Sequence, residues 1–142
     1  MNIIEAPALL PENIDLFLAG GISNCPDWQT EAAALLSNTV GVAANPRRAE
    51  YSWASIAEEQ IFWEYQAIKA SKAVLFWFPA ETLCPITLYE LGVLSQRVDV
   101  PIFVGAHPAY GRRLDVRVQL QLARPEVVLH DSLDKVIRDY LS

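Results

Sequence analysis

The stretch Ala73-Val74-Leu75-Phe76-Trp77-Phe78, closed by Pro79, is apolar at every position. A strand with one wet face alternates apolar and polar residues, because successive side chains point to opposite sides. An unbroken apolar run therefore predicts a strand covered on both faces, as in a parallel sheet held between helices. The reading extends outward in both directions. Residues 14–19 form a strand that meets a tight turn at Gly20-Gly21, and residues 40–44 a second strand stopped by Asn45-Pro46. Residues 101–105 are a fourth strand and 127–129 a short fifth. Helices are predicted over about 27–38 with Asp27 as cap, 54–71, a segment opened by Pro85, 114–123, and a closing segment capped by Ser132. The first dozen residues, with Pro7 and Pro11, read as an extended lead-in.

Strands alternating with helices imply right-handed crossovers and a parallel sheet. The predicted fold class is α/β: a flavodoxin-like doubly wound parallel sheet of about five strands, order 2-1-3-4-5, with helices on both faces. No internal repeat or linker divides the chain, so residues 1–142 are expected to form one domain.

Composition excludes several classes. A hydrophobic fraction of 52% against 20% charged residues describes a globular chain and excludes disorder. The net charge is -6, with lysines and arginines scattered, which argues against a polymeric nucleic-acid partner. No apolar run approaches the roughly 20 residues that span a bilayer, and no export signal opens the chain. The expectation is a reduced, cytoplasmic protein with no membrane partner. Cys25 and Cys84 lie far apart in sequence, and neither His107 nor His130 has a companion at metal-ligand spacing. No metal and no cofactor are expected.

Ligands of open α/β sheets bind beyond the carboxyl ends of the strands, where the strand order reverses. Here the loops 20–27 and 79–84 meet at that point, with 45–53 close by. Two carboxylates stand out near it. From Thr82 to Gln96 the only charged residue is Glu90, whose helical neighbours are Ile86, Thr87, Val93 and Leu94. A carboxylate in such surroundings either turns to solvent at the helix edge or has partners and a purpose. Glu64 interrupts the helical stripe Ala57, Ile61 and Ile68, and reads either as a surface charge beside Gln60 or as a second site carboxylate. Both helices flank the third strand, so the pair is positioned to turn toward one cleft. Paired carboxylates suit work on a glycosidic bond.

Several segments, taken in order, resemble the nucleoside 2-deoxyribosyltransferase-like family. They are Leu18-Ala19-Gly20-Gly21-Ile22, Asp27-Trp28-Gln29, Asn45-Pro46-Arg47-Arg48, Gln60-Ile61-Phe62-Trp63-Glu64 and Pro85-Ile86-Thr87-Leu88-Tyr89-Glu90-Leu91-Gly92. The resemblance covers about two thirds of the chain. It implies cleavage of the N-glycosidic bond of a nucleoside or nucleotide, with Glu90 attacking the anomeric carbon and Glu64 positioning the sugar or the nucleophile. It makes Gly20, Gly21, Ile22 and Trp28 candidates for substrate contact, together with Asn45 and Trp53. Two family features are missing. Gly20-Gly21-Ile22 stands where the deoxyribosyltransferases carry a tyrosine, and Cys84, with Glu81 nearby, stands where they carry a base-reading acid.

Arg47 and Arg48 suit either a ligand phosphate or carboxylate, or an internal ion pair. Tyr51 and Trp53 either stack on a base or cover the core edge, while core packing suits Trp28 and Trp63. The two cysteines, ending adjacent strands, are either small buried residues or a redox pair. Three functions follow: an N-glycosyl transferase or hydrolase on a small nucleoside or nucleotide, a catalytically silent nucleotide-binding or sensor module, and a nucleotide or NAD glycohydrolase. Relatives usually associate, so a homo-oligomer is expected.

Overall fold

The computed structural model describes residues 1–48 and 53–142, the side chains of 53–55 excepted. Its elements, in chain order, are β1 (Asn2–Glu5), β2 (Ile14–Gly20), α1 (Trp28–Leu35), β3 (Val42–Asn45), α2 (Trp53–Ala70), β4 (Ser71–Phe78), α3 (Pro85–Ser95), β5 (Ile102–Ala106), α4 (Arg113–Ala123), β6 (Leu129–His130) and α5 (Leu133–Leu141). The strands form one sheet in the order β1-β3-β2-β4-β5-β6, and every pairing is parallel. The five expected strands take the expected 2-1-3-4-5 order.

The lead-in is the exception, because Asn2–Glu5 adds a sixth strand beside β3, in register Ile3↔Ala43 and Ile4↔Ala44. Its main chain is held at both ends, Asn2 N donating to Gly41 O at 2.8 Å and Ala6 N to Asn45 O at 3.1 Å. Only Ile3 and Ile4 are apolar in this edge strand, too short a run to announce itself by periodicity.

The strand that decided the fold behaves as its composition demands. Val74, Phe76 and Phe78 belong to the core on one face, with Trp63 and Ala67 of α2, Leu91 and Leu94 of α3, and Val116 and Leu120 of α4. Ala73, Leu75 and Trp77 belong to the core on the other, with Trp28, Ala32 and Leu36 and with Leu133, Val136 and Ile137 of α5. Alternate side chains of one strand thus serve two separate cores. Local signals set the helix starts. The Asp27 side chain accepts from Thr30 N at 3.1 Å, Ser132 accepts from Lys135 N at 3.3 Å, and Pro85 opens α3.

β2 and β4 are hydrogen-bonded neighbours, with Gly20 opposite Trp77. The chain leaves β2 toward β3 on one side and leaves β4 toward β5 on the other. The connections diverge, and a crevice opens at their carboxyl ends. Its floor is tightly built. A Cβ on Gly20 would lie 2.4 Å from the Trp28 ring and 2.6 Å from the Trp77 carbonyl oxygen. The second neighbour is backbone inside the sheet and cannot move aside. Gly20→Ala should therefore destabilise the protein by about 1–3 kcal/mol, the usual range for overpacking. Urea unfolding of the two proteins measures this, and an unchanged midpoint would contradict the packing described.

Candidate functional site

The turn after β2 is drawn inward by two side chains of α1. Trp28 Nε1 donates to Gly21 O at 3.0 Å, and Gln29 Nε2 to the same oxygen at 3.3 Å. Trp28 is buried and belongs to the core, the packing role its helix position suggested. Gly21 also sits against sulfur: a Cβ there would lie 2.9 Å from Cys84 Sγ and 3.0 Å from Cys25 Sγ. The two cysteines, remote in sequence, therefore meet across this turn. Both are free thiols. Burial raises the Cys25 thiol and pushes Cys84 up to about 12, so both stay protonated at neutral pH. Cys84 caps α3 in the left-handed region at φ 50°, an unfavourable conformation for a residue with a Cβ. Ile22 is half-buried and Glu81 exposed; the Glu81 charge also acts to raise Cys25.

Asn45 ends β3, buried, and its Oδ1 accepts from Arg47 N at 2.9 Å. The Arg47 guanidinium turns back to the protein, donating to Gln29 Oε1 at 2.9 Å and Pro26 O at 3.0 Å and pairing with Asp27 at 3.2 Å. Arg48 also faces inward. Its Nε donates to Gln60 Oε1 and its Nη2 pairs with Glu59 at 3.3 Å. Of the two roles open to these arginines, the internal one is what both perform here. Tyr51 and the Trp53 side chain lie outside the described residues.

Glu64 and Glu90 are half-buried, on α2 and α3 respectively. The true buried stripe of α2 is Gln60, Trp63 and Ala67, because Ile61 is exposed at 57%. The expected stripe was thus one residue out of phase, and Glu64 lies at the margin of the real one. Gln60 Nε2 donates to Glu64 Oε2 at 3.1 Å. Among the described residues no hydrogen bond or ion pair reaches the Glu90 carboxylate, although Thr87 and Leu94 beside it are buried.

Electrostatics separate the two. Burial pushes the Glu90 carboxyl up to about 8, with the neighbouring Glu64 charge adding to the effect. Burial also raises Glu64, to about 7, but the Gln60 hydrogen bond and the Arg48 charge pull it back. Two carboxyls in one low-dielectric space resist ionising together, so near neutrality the pair retains a proton, and the Gln60 donor and the Arg48 charge favour the ionised form at Glu64. An acid and a base thus coexist in one crevice.

Three residues were not anticipated as contributors. Gln29 and Gln60 are wholly buried polar links, and Tyr110 donates its hydroxyl to Leu83 O at 2.6 Å while its ring lies 4.9 Å from Phe78. Tyr110 thereby holds the loop after β4. The aromatic in the loop following β5 was the available signal for it. No group able to hold a metal occurs among the described residues, and no helix among them is long and apolar enough to cross a membrane. His130 is engaged with Asp139 at 2.9 Å, and His107 Nδ1 accepts from Ala109 N at 3.0 Å.

A doubly wound parallel sheet with two carboxylates near its switch point defines an α/β protein of the class whose small-molecule sites form at that crevice. A family model described as nucleoside 2-deoxyribosyltransferase like matches residues 13–110, well over half of the chain. The chain belongs to that family. None of the curated proteins matches it.

The raised carboxyls carry a stability consequence. Below the ordinary glutamate value of 4.5, folded and unfolded states both hold the Glu90 proton. As pH rises from there toward about 8 the unfolded chain loses that proton and the folded one keeps it, so stability falls across this window. Glu90→Gln removes this contribution. Its melting temperature should match the wild type near pH 4 and exceed it at pH 9, by the equivalent of about 1–2 kcal/mol. Parallel melting curves at both pH values would remove the buried-pair account.

Proposed function

We propose that this protein cleaves or transfers the N-glycosidic bond of a nucleoside or nucleotide, with Glu90 as nucleophile. The observation that carries the reading is a half-buried carboxylate with no partner among the described residues, on the helix leaving the central strand, beside a second carboxylate, in a chain of this family. In the reaction a Glu90 oxygen bonds to the anomeric carbon as the carbon–nitrogen bond breaks, and the base departs with its electron pair and takes up a proton. Water or an acceptor base then attacks the same carbon, breaking the ester and returning Glu90 as carboxylate. Glu64 positions the sugar or the nucleophile and takes part in the shared protonation. Gly20 and Gly21 let the main chain approach the ligand, with Ile22, Cys84 and Glu81 at the same turn and loop. Asn45 at the end of β3, Arg47 just after it and Trp53 at the start of α2 flank the neighbouring connection.

The test is a panel of ribo- and deoxyribonucleosides and their monophosphates, with and without a free acceptor base, followed by chromatography. Release without acceptor marks a hydrolase, and exchange that needs acceptor marks a transferase. Glu90→Ala should lower either by at least about a thousandfold, as for loss of a catalytic nucleophile. Because attack needs the ionised form, kcat/KM of the wild type should rise with pH and level off above about 8. Unchanged turnover in Glu90→Ala would end the proposal.

A second reading is a silent nucleotide-binding module. Gly20-Gly21-Ile22 in place of a tyrosine, and the absence of a donor to Glu90 among the described residues, favour it. Thermal stabilisation by nucleosides or nucleotides with no turnover across the panel would establish it.

We also propose that the protein is a homo-oligomer that works in the cytoplasm. Ile61, Phe62 and Tyr65 of α2 and Ile86, Tyr89 and Val93 of α3 are exposed on helices covering one face of the sheet, an apolar surface for a second copy to cover. Light scattering should give a mass that is a multiple of 15.8 kDa, and Phe62→Glu with Tyr89→Glu should reduce it to one chain. A monomer at tens of micromolar would contradict this.

A further inference from the structure

Gln60 has no exposed surface and lies one helical turn before Glu64. Its amide is used completely. Oε1 accepts from Arg48 Nε, and Nε2 donates to Pro46 O at 2.7 Å and to Glu64 Oε2 at 3.1 Å. The orientation of that amide is forced. A guanidinium can only donate and a backbone carbonyl can only accept, so the oxygen must face Arg48 and the nitrogen must face Pro46. The second N–H then points at Glu64. Arg48 is itself fixed, its side chain only 6% exposed and paired with Glu59.

Resting on the reading of Glu64 and Glu90 as the site, we propose that Gln60 is the positioning residue of the carboxylate pair: a donor aimed by Arg48 that orients Glu64 and decides which carboxylate carries the charge. Arg48 thereby acts through Gln60, not on a ligand. A hydrogen bond to the ionised form favours ionisation, and among the described residues Glu64 has this donor and a nearby guanidinium where Glu90 has neither. Among the described residues the charged groups acting on Glu64 are Arg48 from the β3–α2 connection and Glu90 from α3, and Glu59 pairs with Arg48. Loss of the Gln60 donor removes the asymmetry between two otherwise similar buried carboxyls.

The competing role for Gln60 is structural, a plug for the Pro46 carbonyl. Carbon-13 NMR titration of the glutamate side-chain carboxyls separates the two roles. It needs no substrate, so its outcome is independent of whether N-glycosidic chemistry is found. In the wild type Glu64 should titrate before Glu90. In Gln60→Met the Glu64 midpoint should rise by about 1 pH unit and the Glu90 midpoint should fall, closing or reversing the gap. Arg48→Met should raise the Glu64 midpoint in the same direction, through its own charge as well as through Gln60, so the double variant should shift Glu64 by less than the sum of the two single shifts. A folded Gln60→Met with an unmoved Glu64 titration would overturn the proposal. Should that variant not fold, an unmoved Glu64 in Arg48→Met overturns it equally. Fully additive shifts in the double variant would show Arg48 and Gln60 acting on Glu64 independently, which also overturns the relay.

Discussion

Two glutamines without exposed surface hold the carboxyl end of this sheet together. Gln29 joins the main chain of the β2 turn to Arg47, and Gln60 joins the main chain at Pro46 to Arg48 and Glu64. A buried amide left unpaired costs about 1–3 kcal/mol, so each glutamine specifies the placement of every group it touches. Arg47 closes the circuit by donating its own N–H to Asn45. The loops after β2 and β3 are consequently set against α1 and α2 by directional contacts as well as by packing. That matters because loops normally lack the apolar contacts that fix a core.

The same circuit explains why the two carboxylates differ. They share a helix-lined space and the same penalty for burial, and chemistry alone does not distinguish one glutamate from another. Glu64 lies at the end of the polar chain and receives its donor. Glu90 lies on α3 among the buried Thr87, Leu91 and Leu94, and among the described residues nothing donates to its oxygens. The difference between acid and base in this crevice therefore originates several residues away, in the choice of an amide at position 60 and a guanidinium at position 48. It is a property of the second layer of side chains around the carboxylates.

Most of the fold was legible because it follows from short-range rules. An unbroken apolar strand demands cover on both faces, and Asp27, Pro85 and Ser132 mark helix starts through local hydrogen bonding or fixed φ. Asn2–Glu5 was not legible, since an edge strand of four residues earns its place only by pairing with a strand some forty residues away. Glu90 was legible as a charge alone in an apolar segment. Gln60 was not. A glutamine on a helix reads as surface, and the stripe drawn through Ile61 placed the buried side one residue out of phase. Trp63 and Ala67, at spacings of three and seven from Gln60, carried the correct phase. Only the exposure of Ile61 and Phe62 in the structure selects between the two. The meeting of Cys25 and Cys84 followed from strand order, whereas the absence of space at Gly21 that brings their sulfurs together did not.

On the proposed reading, a nucleophile with no donor among the described residues is a coherent design, because what burial takes from the population of the ionised form it returns in reactivity. A carboxylate already solvated by N–H groups must shed part of that stabilisation as it bonds to carbon, and one facing an apolar wall has little to shed. The cost is that such a group is neutral in the resting protein at pH 7, as its rise to about 8 implies. Glu64 offers the compensation. Its titration is raised as well, so a proton held by the pair has two places to sit. On the proposed reading, a sugar that bonds to one carboxyl in preference to the other biases where that proton rests, a route that a single glutamate in the same apolar setting lacks.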